Sequence, residues 1–206
     1  MEELKIEYLF DLEDFKIMEN IEHSYFPNDN ITPAEEVLNW YKKNNLTCIG
    51  LRNADKEIVA SVNILPLKKE IFYGIYEDRI NEADIVYSQI EEYQDNQSYY
   101  IYLSSISIDK NYRNNYQVIL KLLKGCTAML DVLVKRRIKI EKVLADASTI
   151  HGEKICKKLL KMDYIRDTNH QSKLYCEDGE RFTKSILKIK THGKWYEEAI
   201  MLGQES

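Results

Sequence analysis

Apolar and polar residues alternate most cleanly between Glu57 and Leu65, where Ile58, Ala60, Val62 and Ile64 are set against Ser61 and Asn63, the period-2 signature of a strand. Pro66 ends it. A partner strand over Leu46 to Arg52 precedes it across the polar turn Asn53-Ala54-Asp55-Lys56. Upstream, the pattern gives a short strand from Lys5 to Phe10 and a helix from Leu12 to His23, broken by "HSYFPNDNITP". Thr32 at the N-cap, Pro33 in the first helical position and Glu35 three residues after the cap predict a capping box. The helix they open has Val37, Leu38 and Tyr41 on its apolar face and ends at Asn44-Asn45. Lys68 to Gln97 is charged and reads as mostly helical, with Ile71, Phe72, Ile75, Tyr76 and Ile80 at helical spacing.

The next strand, Tyr99 to Ile108, carries Ile101, Leu103, Ile106 and Ile108, and its alternation slips by one residue at Ser104-Ser105, as a β-bulge requires. A long helix follows, with Val118, Ile119, Leu122, Leu123, Cys126, Met129, Leu130, Leu133 and Val134 on one face and Lys135-Arg136-Arg137 at its end, where cations suit the helix dipole. "IEKVLADAST" reads as a strand, "IHGEKICKKLLKMDY" as a helix with Ile155, Cys156, Leu159 and Leu160 inward, and "SKLYCEDGERFTKSILKIK" as a hairpin turning at Asp178-Gly179. The order β-α-α-β-β-insert-β-α-β-α-β-β mixes meanders with βαβ crossovers. It predicts an α/β (α+β three-layer) domain with a mixed central sheet and helices on both faces.

Composition narrows this picture. In 206 residues, 44% hydrophobic and 31% charged, a net charge of −5 argues against a nucleic-acid partner. No apolar run reaches the ~18 residues of a membrane span. The acidic start "MEELKIEYLFDLED" is unlike a signal peptide, so the expected location is the cytoplasm. Cys48, Cys126, Cys156 and Cys176 are widely spaced with no CxxC, which predicts neither a metal site nor a disulfide framework. The 15 tyrosines are read as packing at half-buried edges.

The stretch "LSSISIDKNYRNNYQVILKLL" resembles the central bulged strand, pyrophosphate loop and following helix of the GNAT superfamily of N-acyltransferases. "KVLADASTIHGEKICKKLLKMDYI" is similar to that family's later strand and helix, with Asp163-Tyr164 in place of Gly-Phe. "EIVASVNILPLKKEIFYGIYEDRINEADI" looks like the strand and acidic insert of a bacterial branch. The likeness implies one GNAT-like acyltransferase domain over residues 1–190, with 68–97 as a helical insert and 191–206 as a tail. It implies acetyl-CoA as co-substrate and transfer of its acetyl group, by direct attack, to a small-molecule amine or a protein amino group. An edge strand near the C-terminal hairpin is a candidate homodimer contact.

The chemistry then falls on particular residues. In the family pattern Arg/Gln-x-x-Gly-x-Gly/Ala, Arg113 matches the first position, while Tyr116 and Val118 stand where small residues are usual. On that likeness Arg113 and the N–H groups of Asn114, Asn115, Tyr116, Gln117 and Val118 are the candidate pyrophosphate donors, because a helix start leaves its first N–H groups unpartnered. Asn side chains could instead cap that start. Ile106, Ser107 and Ile108 match the strand that holds the pantetheine arm, and a backbone N–H among Ser105 to Ser107 would stabilise an oxyanion. The family's usual acidic tyrosine falls on Leu159, leaving Tyr164, His151 and Ser148 as catalytic candidates, with Glu57, Asp84 and Glu91 as candidate cleft acids. The alternative reading is a catalytically inactive GNAT-fold binding or regulatory module with a lost cofactor loop.

Overall fold

A computed structural model describes residues 3–25, 31–113, 115–169 and 171–191. Its strands are β1 (Lys5–Glu7), β2 (Cys48–Arg52), β3 (Ile58–Leu67), β4 (Ser98–Ile108), β5 (Lys139–Ala147), β6 (Asp163–Asp167) and β7 (Lys173–Asp178). The helices are α1 (Leu12–His23), α2 (Ala34–Lys43), α3 (Lys69–Tyr76), α4 (Tyr116–Lys135), α5 (Ile150–Lys154) and α6 (Gly179–Thr191). The strands form one sheet in the order β1-β2-β3-β4-β5-β7-β6, antiparallel throughout except between β4 and β5, where α4 makes the crossover.

Alternation along the strands sends side chains to two cores. Ile49, Val62, Ile64, Ile101, Leu103 and Val143 pack with Leu123, Met129 and Leu130 of α4 and with Phe182 and Ile186 of α6. On the other face Leu65, Leu67, Tyr102 and Leu144 pack with Trp40 of α2 and Phe72 of α3. α1 and α2 close over β2 on that same face through Phe10, Phe15, Met18, Tyr41 and Cys48, whose rings meet edge-on. The four cysteines are free and buried.

The three-layer architecture agrees with the sequence, but five local expectations do not. Pro66 does not end β3, which runs on to Leu67 with Pro66 paired to Ile101. α2 begins one residue later than expected, with Pro33 at its N-cap. Thr32 Oγ1 has no hydrogen-bond partner, and the Ala34 N–H is met instead by Glu19 Oε2 of α1 at 3.1 Å. The insert is helical only over α3; beyond it run 3₁₀ turns at Glu82–Asp84 and Tyr87–Gln89. The helix after β5 is short: α5 widens into a π turn over Ile155–Leu159, Lys161 takes a left-handed φ of 55°, and β6 begins at Asp163. Asp178-Gly179 is no hairpin turn. β7 pairs back onto β6, and Asp178 Oδ1 accepts the Glu180 and Arg181 N–H groups to start α6. The far edge of the sheet is therefore β6, and the tail expected from Thr191 onward lies outside the described residues.

Candidate functional site

The site starts from a mismatch between two strands. β4 and β5 pair from Ser98/Lys139 to Leu103/Ala145 and no further, because β5 continues along β7 to Ala147/Lys173 while β4 follows β3. Ser104–Ile108 is thus paired on one side only. The β3–β4 register shifts between Asn63/Ser105 and Ile64/Leu103, leaving Ser104 as the extra residue of a bulge, at the point where the alternation slips in the sequence. In the middle of the sheet, residues 101–103, Ser107 and Ile108 are buried, yet Ser104, Ser105 and Ile106 are only half-buried. The central strand opens to solvent at its bulge.

The backbone here has a definite parity. Asp109 N–H donates to Val59 O at 2.8 Å, so the Val59/Asp109, Ser61/Ser107 and Asn63/Ser105 pairs exchange the ladder hydrogen bonds. The N–H and C=O of Ile106 and Ile108 consequently point the other way, into the gap beside β5. Ile106 and Ile108 turn their side chains toward α4, whereas Ser107 is fully buried on the opposite face.

Two carboxyl groups reach the bulge from that face. Glu82, on the 3₁₀ turn of the insert, accepts from Ser104 Oγ at one oxygen and from Tyr102 Oη at the other, 3.0 Å away. Burial pushes its pKa up to about 8; the hydrogen bonds from Ser104 and Tyr102 oppose this, and the charges of Glu22 and Asp146 add to it. Glu22, on the last turn of α1, accepts from Ser107 Oγ at 3.1 Å and also bonds Ser105. Burial raises Glu22 as well, against those serine hydrogen bonds. Asn63 Nδ2 donates to Ser105 Oγ at 3.1 Å and braces the row. Sequence reasoning passed over both acids. Glu82 meets Ser104 across 22 positions of chain, and no periodicity marks such a contact.

The start of α4 is already organised. Asn115 Oδ1 accepts the Gln117 N–H at 3.1 Å, Asn115 O accepts that of Val118 at 3.0 Å, and Asn115 N–H donates to Tyr112 O. Tyr116 is 48% exposed, and Val118 is fully buried against Ala60, Ile108 and Leu122. Val118 is therefore packed into the core, while Tyr116 stays partly exposed at the helix start. The Arg113 guanidinium lies 3.7 Å over the Tyr25 ring, donates to Ser24 Oγ and approaches Ile108 O at 3.4 Å, while Tyr25 Oη donates to Ile108 O at 2.6 Å. Asn114 lies outside the described residues.

The other candidates lie outside β4. Ser148 and His151 are exposed on the chain leaving β5. Tyr164 is exposed on β6, with its ring 5.9 Å from that of Tyr175. Among the described residues no hydrogen bond joins any of the three to Glu22 or Glu82. Glu57 lies in the β2–β3 turn bonded to Asn53, Asp84 turns back onto the Asn81 N–H, and Glu91 follows the insert with a carboxyl raised by burial. Among the described residues no group of side chains could hold a metal ion, and no helix is long and apolar enough to cross a membrane.

The overall fold is shared with solved structures. Over 85% of this chain and 98% of that one, it matches a GNAT-like decarboxylase, GphF, in complex with isobutyryl-CoA, with a TM-score of 0.56 and 10% identity. It matches the NatC complex bound to Gag peptide and CoA at a TM-score of 0.54 and 5% identity, over 84% of this chain and 96% of that one. The corresponding figures for Ard1 from Thermoplasma volcanium are 0.51, 11%, 84% and 94%. The chain has the GNAT fold. No protein-family model and no curated protein matches it.

Proposed function

We propose that the protein is a cytoplasmic acetyl-CoA-dependent N-acyltransferase in which Glu82 is the general base. The observation that carries this reading is the opening at Ser104–Ile106, with the Glu82 carboxyl hydrogen-bonded beside it. The attacking amine forms a C–N bond to the acyl carbon, the C–S bond breaks, CoA leaves as its thiolate, and the amine proton passes to the Glu82 carboxylate. Of the backbone N–H groups from Ser105 to Ser107, only that of Ile106 is turned from β3 into the gap, and it is the donor for a developing oxyanion. The Ile106 C=O and the Ile108 N–H, turned into the same gap, suit the amides of a pantetheine arm. No nucleophile on the enzyme is required, and none is exposed among the cysteines. Ser148, His151 and Tyr164 are left without a proton-transfer role.

The donor set at the helix mouth fits a pyrophosphate less completely. Arg113 supplies the charge, but Asn115 holds the Gln117 N–H for itself. That cap favours a second reading, a GNAT-fold binding module that does not take up CoA.

Calorimetric titration with acetyl-CoA separates the two. Micromolar binding, weakened at least ~10-fold by Arg113→Ala, is expected, since a charge-assisted hydrogen bond contributes roughly 1.5–3 kcal/mol. Silence at millimolar acetyl-CoA would favour the binding module. The cap makes a prediction of opposite sign. Asn115→Ala should cost the fold about 1 kcal/mol by urea unfolding and tighten acetyl-CoA roughly threefold or more by releasing the Gln117 N–H. Unchanged affinity would mean that this donor takes no part.

A further inference from the structure

The bulge sets two residues of β4 against one of β3, so Ser104 and Ser105 both serve the face that carries α1 and the insert. Each holds a different acid: Ser104 bonds Glu82, and Ser105 with Ser107 bonds Glu22. Two carboxyl groups from distant elements are thereby fixed along one short piece of strand, close enough that the charge of Glu22 is felt at Glu82. Neither takes part in any ion pair with a lysine or arginine among the described residues.

A separate feature points to what belongs there. Ser61 is wholly buried and its Oγ has no hydrogen-bond partner. It sits directly across the ladder from Ser107, on the same face, and Cβ atoms of such pairs lie about 4.5–5.5 Å apart. A buried hydroxyl unused by the fold, across the ladder from the serine that holds Glu22, is an acceptor waiting for a donor. An ammonium group has three donors and no acceptor, which is the complement of a carboxylate plus a spare hydroxyl oxygen.

Resting on the acyl-transfer reading, we infer that the acceptor is a diamine, which presents one amine for reaction at Glu82 and seats the other, as an ammonium, at Glu22 beside Ser61. A monoamine meets only one of the two carboxyl groups and leaves the other without an amine to bond. The transfer step keeps the balance given above, because the second ammonium gains and loses no proton.

The test is a calorimetric titration of the CoA-free protein with putrescine and, separately, with n-butylamine, which has the same carbon chain and one amine fewer. Putrescine is expected to bind at least ~10-fold more tightly, the worth of one further charge-assisted hydrogen bond. Glu22→Gln should reduce that preference to nearly nothing, and Ser61→Ala, a substitution the fold tolerates without loss of any hydrogen bond, should weaken putrescine several-fold. Equal affinities in the unaltered protein, or a preference that survives both substitutions, would overturn the inference. Because this titration contains no acetyl-CoA, its outcome is independent of the acetyl-CoA titration, whose failure would count against acyl transfer alone.

Discussion

Glu82→Gln is expected to lower kcat by about 10²–10⁴-fold, the usual worth of a positioned general base, while acetyl-CoA affinity stays unchanged. Glutamine still accepts from Ser104 through its amide oxygen, so the insert remains tied to β4 and what is lost is the capacity to take a proton. The pH profile carries the second half of the prediction. With its pKa pushed up to about 8 by burial, Glu82 is protonated at neutral pH, and the base form appears only as the pH rises through that value. In the unaltered protein kcat/KM for acyl transfer should therefore climb through about pH 8 and level off above it. In the variant this limb should vanish.

The same shift has a consequence for stability, of opposite direction. A carboxyl whose folded pKa exceeds its unfolded value binds more protons in the folded state. Its contribution is whole below the ordinary carboxylate value of 4.5 and is lost as the pH rises through about 8. Glu82→Gln should thus melt above the unaltered protein on the alkaline side, by about 2–4 °C, and show no such gain in acid. A variant that loses activity and melts lower at every pH would point to a structural role for Glu82 instead.

The second large effect is on folding. Gly179→Val should destabilise the protein by about 3 kcal/mol or more in urea unfolding, because a Cβ at this position would lie 2.0 Å from Ile140 O and 2.4 Å from its carbonyl carbon, both main-chain atoms of β5. No side chain can rotate aside to relieve that contact. α6 would have to lift from the sheet, withdrawing Phe182 and Ile186 from the core they share with α4. An unfolding midpoint within error of the unaltered protein would show that β5 and α6 can part cheaply.

Gly179 also shows what could and could not be read in the sequence. The Asp-Gly pair was legible as a point where the chain changes direction. Which partner the backbone approaches there is a tertiary fact, and the same two residues serve a hairpin or, as here, an N-cap followed by close packing on a neighbouring strand. The bulge at Ser104 was legible because a one-residue slip in a period-2 pattern is a local event. The long apolar face of α4 was legible for the same reason, being a regular repeat on one element. The two acids were not. Glu22 and Glu82 are single polar residues on elements whose sequences explain them as surface, and they acquire their chemistry from Ser104, Ser105 and Ser107 only once the sheet is assembled. Thr32 failed in the opposite way. It has the right residues around it for a capping box, but Glu19 on the neighbouring helix takes the task and leaves the threonine hydroxyl idle.

The buried cysteines have a practical side. Burial holds the thiols of Cys126 and Cys156 up at about 12 and raises those of Cys48 and Cys176. At neutral pH the folded chain offers almost no thiolate, the nucleophile that attacks a disulfide reagent. A disulfide dye mixed with the folded protein should stay colourless, and any colour that grows when an acyl donor and an amine are added is the CoA thiol itself, counted one turnover at a time.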